Sequence, residues 1–293
     1  VNNTPIVLVH GFWHGPWAWS AVAERLARLG VPSLAVDLDG FGLRSRSPEA
    51  RWARPFDPAA FAVAPSPVAD VTATSAAHRL IAQLRELRRP AVVAAHSMGG
   101  IVATRAAELA PELFAELVYV TAFAPVAGLP GVAGIGLPEN AGEQVGGLLC
   151  ADPVATGALR IDPADPARRA AIRDCFYHDV DTATADAAIA LLSTDGSFGI
   201  PAETFQVTPA RYGRVPHTYV ICTEDRAVPV ALQRRFVREI DAISARPTTV
   251  VELETSHSPF LSAPDALAAT LAAGHLRGVT ARREDALSGG RPG

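Results

Sequence analysis

Apolar residues in this chain fall into short unbroken runs, and between them lie longer stretches whose apolar positions recur every three to four residues. The runs are the length of buried strands and the stretches the length of amphipathic helices. Ile6-Val7-Leu8-Val9-His10 predicts a first strand. Trp17 to Leu29 predicts a helix, with Trp19, Val22, Leu26 and Leu29 near 3.6 spacing and Gly30 as its stop. Ser33 to Val36 predicts a second strand, ending in Asp37-Leu38-Asp39-Gly40. Val71 to Leu87 predicts a helix with a stripe of Leu80, Ile81, Leu84 and Leu87. A strand over 91–95, a turn at Ser97, a helix over 98–109 and a strand from Leu117 to Thr121 follow. After a long interruption the alternation resumes with strand 217–223, helix 230–240, strand 248–253 and helix 264–276. Strands alternating with helices imply an α/β fold with a mostly parallel sheet covered on both faces.

Two stretches break the alternation. Leu43 to Asp70 carries five prolines and scattered aromatics (Trp52, Phe56, Phe61) and reads as an irregular surface excursion. Residues 122–215 are rich in Ala, Gly, Pro and Asp. Helices are expected there at 166–177, where Asp165-Pro166 supplies an N-cap and a proline at N1, and at 183–193. The expected organisation is a core domain formed by 1–121 and 216–276, interrupted by an inserted helical lid over 122–215. A polar tail over 277–293 is expected to be disordered.

Composition narrows the class. The 293 residues are 49% hydrophobic and 19% charged, which supports a sizeable core. A net charge of -4 gives no basic footprint for nucleic acid. Every basic residue is arginine; with no lysine in the chain, Schiff-base chemistry is excluded. Cys150, Cys175 and Cys222 form no C-x-x-C pair and suggest neither a disulfide framework nor a zinc site. Val1 to Pro5 is too short and not apolar, so no secretory signal is expected ahead of the first strand, and prolines at 125, 130 and 138 interrupt the uncharged run from Leu117 to Pro138. A soluble, cytoplasmic protein without a membrane partner is expected, with a mature secreted form that has lost its signal as the alternative.

In parallel sheets, functional groups collect beyond the carboxyl ends of strands. Ala95-His96-Ser97-Met98-Gly99 stands there, a G-x-S-x-G turn with Ala in place of the first Gly. A sharp turn between strand and helix lifts the serine hydroxyl clear of the sheet. It also aims the backbone N–H of Met98 at any oxyanion formed there. Gly11-Phe12 follows the first strand, Glu224-Asp225 the strand over 217–223, and Ser256-His257 the strand over 248–253. The chain order is nucleophile, acid, histidine. His257 would take the proton from Ser97, Asp225 or its neighbour Glu224 would hold the imidazole, and the N–H groups of Phe12 and Met98 would form an oxyanion hole.

These pieces resemble the α/β-hydrolase superfamily, and within it the branch of plant methylesterases, hydroxynitrile lyases and bacterial pyrethroid-type carboxylesterases. The resemblance rests on His10-Gly11-Phe12-Trp13-His14-Gly15-Pro16-Trp17, Ala95-His96-Ser97-Met98-Gly99-Gly100, Cys222-Thr223-Glu224-Asp225-Arg226-Ala227-Val228-Pro229 and Ser256-His257-Ser258-Pro259-Phe260. Phe176-Tyr177-His178-Asp179 also resembles a lid motif of the branch. The resemblance implies an α/β-hydrolase fold and Asp225, not Glu224, as the acid. Two positions depart from the lyases: Ser258 replaces a lysine and Gly11 a threonine.

The expected activity is hydrolysis of a carboxylic ester, or lactone, of a hydrophobic small molecule through a Ser97–His257–Asp225 triad and an acyl-enzyme. Trp13, Phe123, Phe176 and Tyr177 are candidate pocket walls, with core packing as the rival reading for each. No cofactor or metal is implied. His10 and His14 lack a third ligand and are expected to brace the oxyanion loop. His96 is expected to point into the fold. A cofactor-free lyase on the same fold and a slow-turnover ligand sensor remain the alternatives.

Overall fold

The computed structural model describes residues 4–273. Among these residues, eight strands form two sheets: β1 (Ile6–Val9), β2 (Ser33–Val36), β3 (Ala91–His96), β4 (Phe114–Val120), β5 (Ala158–Arg160), β6 (Asp195–Ser197), β7 (His217–Cys222) and β8 (Thr249–Leu253). Six of them make one parallel sheet in the order β2-β1-β3-β4-β7-β8, while β5 and β6 pair as a small antiparallel ribbon. The longer helices are α1 (Ser20–Arg28), α2 (Ala73–Glu86), α3 (Gly99–Leu109), α4 (Pro166–Phe176), α5 (Thr182–Ala190) and α6 (Val230–Asp241). Residues 264–273 are also helical.

The two-residue side-chain period of a strand explains how the central runs became apolar throughout. Val7, Val9, Val93, Ala95, Leu117 and Tyr119 face one layer, packed with Leu80 and Leu84 of α2, Val102 and Ala106 of α3, and Phe236 of α6. Ile6, Leu8, Val92, Ala94, Val118 and Val120 face the other, packed with Val22 and Leu26 of α1, Phe260 and Leu267. A third apolar cluster, containing Trp13, Leu159, Ile172 and Phe176, sits apart from both layers.

Local signals set the element ends. Thr72 and Ser75 form a reciprocal capping box at the start of α2, and Asp165 caps α4 ahead of Pro166; a cap of this kind contributes ~1 kcal/mol. Leu29 was expected on the buried stripe of the first helix but is 58% exposed. α1 ends at Arg28, and Gly30 at φ 71° turns the chain away before Leu29 can reach the core. Strand β4 begins at Phe114 rather than 117, because Glu116 is buried and accepts a hydrogen bond from the Thr218 hydroxyl of β7 at 2.5 Å. The 43–70 stretch contains a short helix, Pro58–Val63, capped by Asp57. Residues 122–215 contain 3-10 turns, the β5–β6 ribbon, α4 and α5. The tail expected over 277–293 lies outside the described residues.

Strand order reverses beside β1. The chain leaves β1 for β2 on one side and returns through β3 on the other, so the loops after β1 and β3 diverge and open a crevice at their carboxyl ends.

Candidate active site

Ser97 occupies that crevice. It stands at φ 53°, a left-handed conformation uncommon for a residue with a Cβ, and this is what turns strand β3 sharply into α3. Its backbone is fixed on both sides: its N–H donates to Val120 O at 3.3 Å, and its carbonyl accepts from Phe123 N–H at 3.1 Å. The turn also needs bare backbones around it. A Cβ on Gly99 would sit 2.5 Å from His10 O, and a Cβ on Gly11 would sit 2.6 Å from the Ser97 Cβ.

The imidazole and carboxylate arrive from β8 and β7. His257 Nδ1 lies 2.6 Å from Asp225 Oδ2, with both side chains almost fully buried. Asp225 Oδ1 accepts the backbone N–H groups of Ala227 at 2.6 Å and Val228 at 2.8 Å. Its Oδ2 also accepts the hydroxyl of Thr121, the residue at which β4 leaves the sheet. Glu224, the adjacent acid, is exposed. The His257 carbonyl accepts from His96 Nε2 at 2.9 Å, so His96 does point inward. Sequence reasoning missed Thr121. Asp179 was likewise unassigned; its carboxylate accepts the Ser256 N–H at 2.8 Å and steadies the histidine loop.

Ser97 and His257 line one cavity of about 180 Å³. Its walls are largely apolar: Phe12 and Trp13 from the loop after β1, Phe123 just beyond β4, Phe176 at the end of α4, and Ile135, Val145 and Leu149 from the 131–149 stretch. Three of the four aromatics proposed from sequence are therefore wall residues. Tyr177 is not. It is fully buried behind the wall, and its hydroxyl lies 2.7 Å from His14 Nε2.

Among the described residues, no protein acceptor takes the N–H of Phe12 or of Met98. Met98 stands at the N-terminus of α3, which has no side-chain cap and no acidic residue in its first turn. The positive end of that helix is thus open toward the crevice. His14 braces the other side. Its Nδ1 lies 2.7 Å from Phe12 O, which as a carbonyl can only accept, so Nδ1 carries the proton and Nε2 accepts from Tyr177. Burial lowers the His14 pKa to about 3, so the ring is neutral in this role. His10 acts similarly: its Nε2 accepts from Leu38 N–H at 3.3 Å, its Nδ1 donates to Gly11 O at 2.9 Å, and burial lowers its pKa to about 4. Among the described residues, no cluster of three or more His, Cys, Asp or Glu side chains could hold a metal ion, and no helix is long and apolar enough to cross a membrane.

Comparison with known proteins agrees with this architecture. Residues 6–270 match the profile of the Alpha/beta hydrolase family. The chain is similar to Methylesterase 7 of Arabidopsis thaliana, 26% identical over 274 residues that cover 92% of this chain and 95% of that protein. It is also similar to the pyrethroid hydrolase of Sphingobium wenxiniae, 26% identical over 281 residues, covering 92% and 86%. Among solved structures, the pyrethroid hydrolase of Sphingobium faniae JZ-2 superposes with a TM-score of 0.72 at 23% identity, covering 94% of this chain and 98% of that one. Polyneuridine aldehyde esterase superposes with a TM-score of 0.71 at 21% identity, covering 92% and 98%. With a profile match that runs from the first strand into the last described helix, and with relatives named as a methylesterase and a pyrethroid hydrolase, the chain belongs to the Alpha/beta hydrolase family.

Proposed function

We propose that this protein is a serine esterase that cleaves a carboxylic ester or lactone of a hydrophobic small molecule through an acyl-enzyme. The observation that carries the reading is the His257–Asp225 contact at 2.6 Å beside a cavity that His257 shares with Ser97. His257 Nε2 takes the Ser97 proton as Oγ attacks the ester carbonyl. Asp225 holds the Nδ1–H and offsets the charge of the imidazolium that forms. The free N–H groups of Phe12 and Met98 receive the oxyanion; such donors commonly contribute ~10²–10³ in kcat each. His257 then gives its proton to the departing alkoxide. Water enters, loses a proton to the same nitrogen and adds to the acyl carbonyl; the bond to Ser97 Oγ then breaks, the acid leaves, and His257 returns the proton to Oγ.

The cavity walls support the substrate class: they offer aromatic and aliphatic contacts and few polar groups, which suits a hydrophobic ester, and one relative is named a pyrethroid hydrolase. The 122–215 segment contributes the Ile135, Val145 and Leu149 wall, so in this reading it is the lid of a core built from 1–121 and 216–276. The lyase alternative is disfavoured by Gly11, whose position leaves no space for the threonine that the lyases carry.

A panel of p-nitrophenyl esters of graded chain length, with a fluorophosphonate to label the nucleophile, tests the proposal. Turnover and labelling are expected in the wild type, and Ser97→Ala should lose both, with kcat lower by ~10⁶. A Ser97→Ala protein that keeps more than a tenth of wild-type turnover would overturn the assignment. Rapid labelling without turnover would instead favour the ligand sensor.

A further inference from the structure

Thr121 is fully buried and stands at φ 40°. A β-branched residue rarely adopts that region, and such a conformation costs on the order of 1–3 kcal/mol unless its surroundings hold it. Its N–H is tied to Val220 O of β7 at 2.9 Å. Its hydroxyl donates to Asp225 Oδ2, the oxygen that His257 Nδ1 also meets. An ionised carboxylate offers about four acceptor positions. Here the donors are Ala227 N–H, Val228 N–H, Thr121 Oγ1–H and His257 Nδ1–H. The first two belong to the loop of Asp225 itself and hold Oδ1 only. Besides the imidazole, Thr121 is the single donor to Oδ2 among the described residues, and it comes from the end of β4, 104 residues away in sequence.

We propose that Thr121 is a positioning residue for the Ser97–His257–Asp225 relay, its hydroxyl fixing the orientation of Asp225 Oδ2 and taking part of the charge that this oxygen offers to His257. The proposal rests on the esterase reading. Two consequences follow. Without the hydroxyl, the carboxylate can rotate about its remaining anchors, and the imidazole it holds loses its alignment with Ser97. Oδ2 also becomes a stronger acceptor, which favours imidazolium and raises the pH at which His257 becomes a free base. The other titratable groups near the pair leave that shift readable. His96, whose ring centroid lies 4.5 Å from that of His257, and His14 are neutral because burial lowers their pKa values. Cys175, Cys222 and Tyr219 stay protonated because burial raises theirs. Asp179 on the neighbouring loop and Glu143 in the cavity wall are the same in wild type and variant.

Thr121→Val keeps the branched shape and the backbone strain and removes only the hydroxyl; Thr121→Ser keeps the hydroxyl. With a p-nitrophenyl ester, Thr121→Val should lower kcat ~10-fold with KM within about twofold, and should move the acid limb of kcat/KM up by about half a pH unit. Thr121→Ser should restore both. Loss of packing alone would not move the acid limb. A Thr121→Val enzyme with wild-type kcat and an unmoved acid limb overturns the proposal. If Thr121→Val does not fold, Thr121→Ala read against Thr121→Ser isolates the hydroxyl, and equal kcat and equal limbs in that pair overturn it as well. These results are distinct from failure of the esterase reading, in which the wild type itself neither turns over esters nor is labelled at Ser97; the proposal then falls with that reading.

Discussion

Ser193 gives the Trp13 carbonyl two donors, its backbone N–H at 2.8 Å and its hydroxyl at 3.2 Å. Trp13 stands at φ 61° and returns a bond from Nε1 to Leu159 O at 3.0 Å. Gly196 of β6 presses so closely on the Phe12 ring that a Cβ there would sit 2.3 Å from its Cδ1. The loop that carries the proposed oxyanion donor is therefore fastened by the 158–196 region as well as by the strand it leaves. Pre-organisation of an oxyanion hole depends on such external support, since donors must be in place before charge develops.

Tyr177 tests that support without touching the cavity. Tyr177→Phe removes the partner of His14 Nε2 and leaves a buried acceptor unsatisfied, at a cost of about 1–3 kcal/mol of stability. The His14 ring that holds Phe12 O then loses one of its two anchors. The expected result is a severalfold fall in kcat with KM nearly unchanged, and a lower denaturation midpoint. Steady-state kinetics beside a urea titration would measure both; a change in KM alone would place Tyr177 in substrate contact instead.

The two neighbouring acids separate by exposure. Asp225→Asn should lower kcat by ~10⁴, because an amide can present the wrong group to the imidazole. Glu224→Gln alters an exposed side chain and should leave kcat within about twofold of wild type. Comparing the two variants on one ester decides the assignment, and a larger loss in Glu224→Gln would reverse it.

Stability should fall on acidification. Burial lowers the pKa values of His10, His14 and His217 to about 4, about 3 and about 3. In the unfolded chain each titrates near ~6.5. Between those values the unfolded state binds protons that the folded state does not, so stability declines as pH drops below ~6.5 and keeps declining until the folded-state pKa is reached. By linkage, each such histidine withdraws ~2 kcal/mol by pH 5. Urea unfolding at pH 7 and pH 5 should show this loss. His217→Gln, which is remote from the cavity wall, should reduce it by ~2 kcal/mol. An identical loss in that variant would show that His217 does not contribute.

Much of this site was legible because its parts follow central strands. Apolar runs mark buried parallel strands, and functional groups collect beyond the end of each run, which pointed to Ser97, to His257 and to the Glu224-Asp225 pair; the choice of Asp225 within that pair rested on the family resemblance. Contacts that depend on side-chain direction across long separations were not legible. Tyr177 sits among residues that line the cavity, and no local pattern distinguishes a ring facing the cavity from one turned toward His14. Trp13 Nε1 and Leu159 O are 146 residues apart. Glu116 hid the start of β4, since a charged residue in an apolar run reads as its boundary when the partner hydroxyl, Thr218, lies on another strand. Thr121 was passed over because a hydroxyl that donates to a carboxylate carries no signature of its own in sequence.

The bare backbone at position 11 constrains how this scaffold could change its chemistry over time. A side chain there collides with the Cβ of the serine itself, not with the movable end of a flexible group. A descendant acquiring the threonine of the lyases would first have to separate the loop after β1 from the turn after β3. The order of mutational steps is thereby imposed by geometry: the gap must widen before the new hydroxyl can arrive.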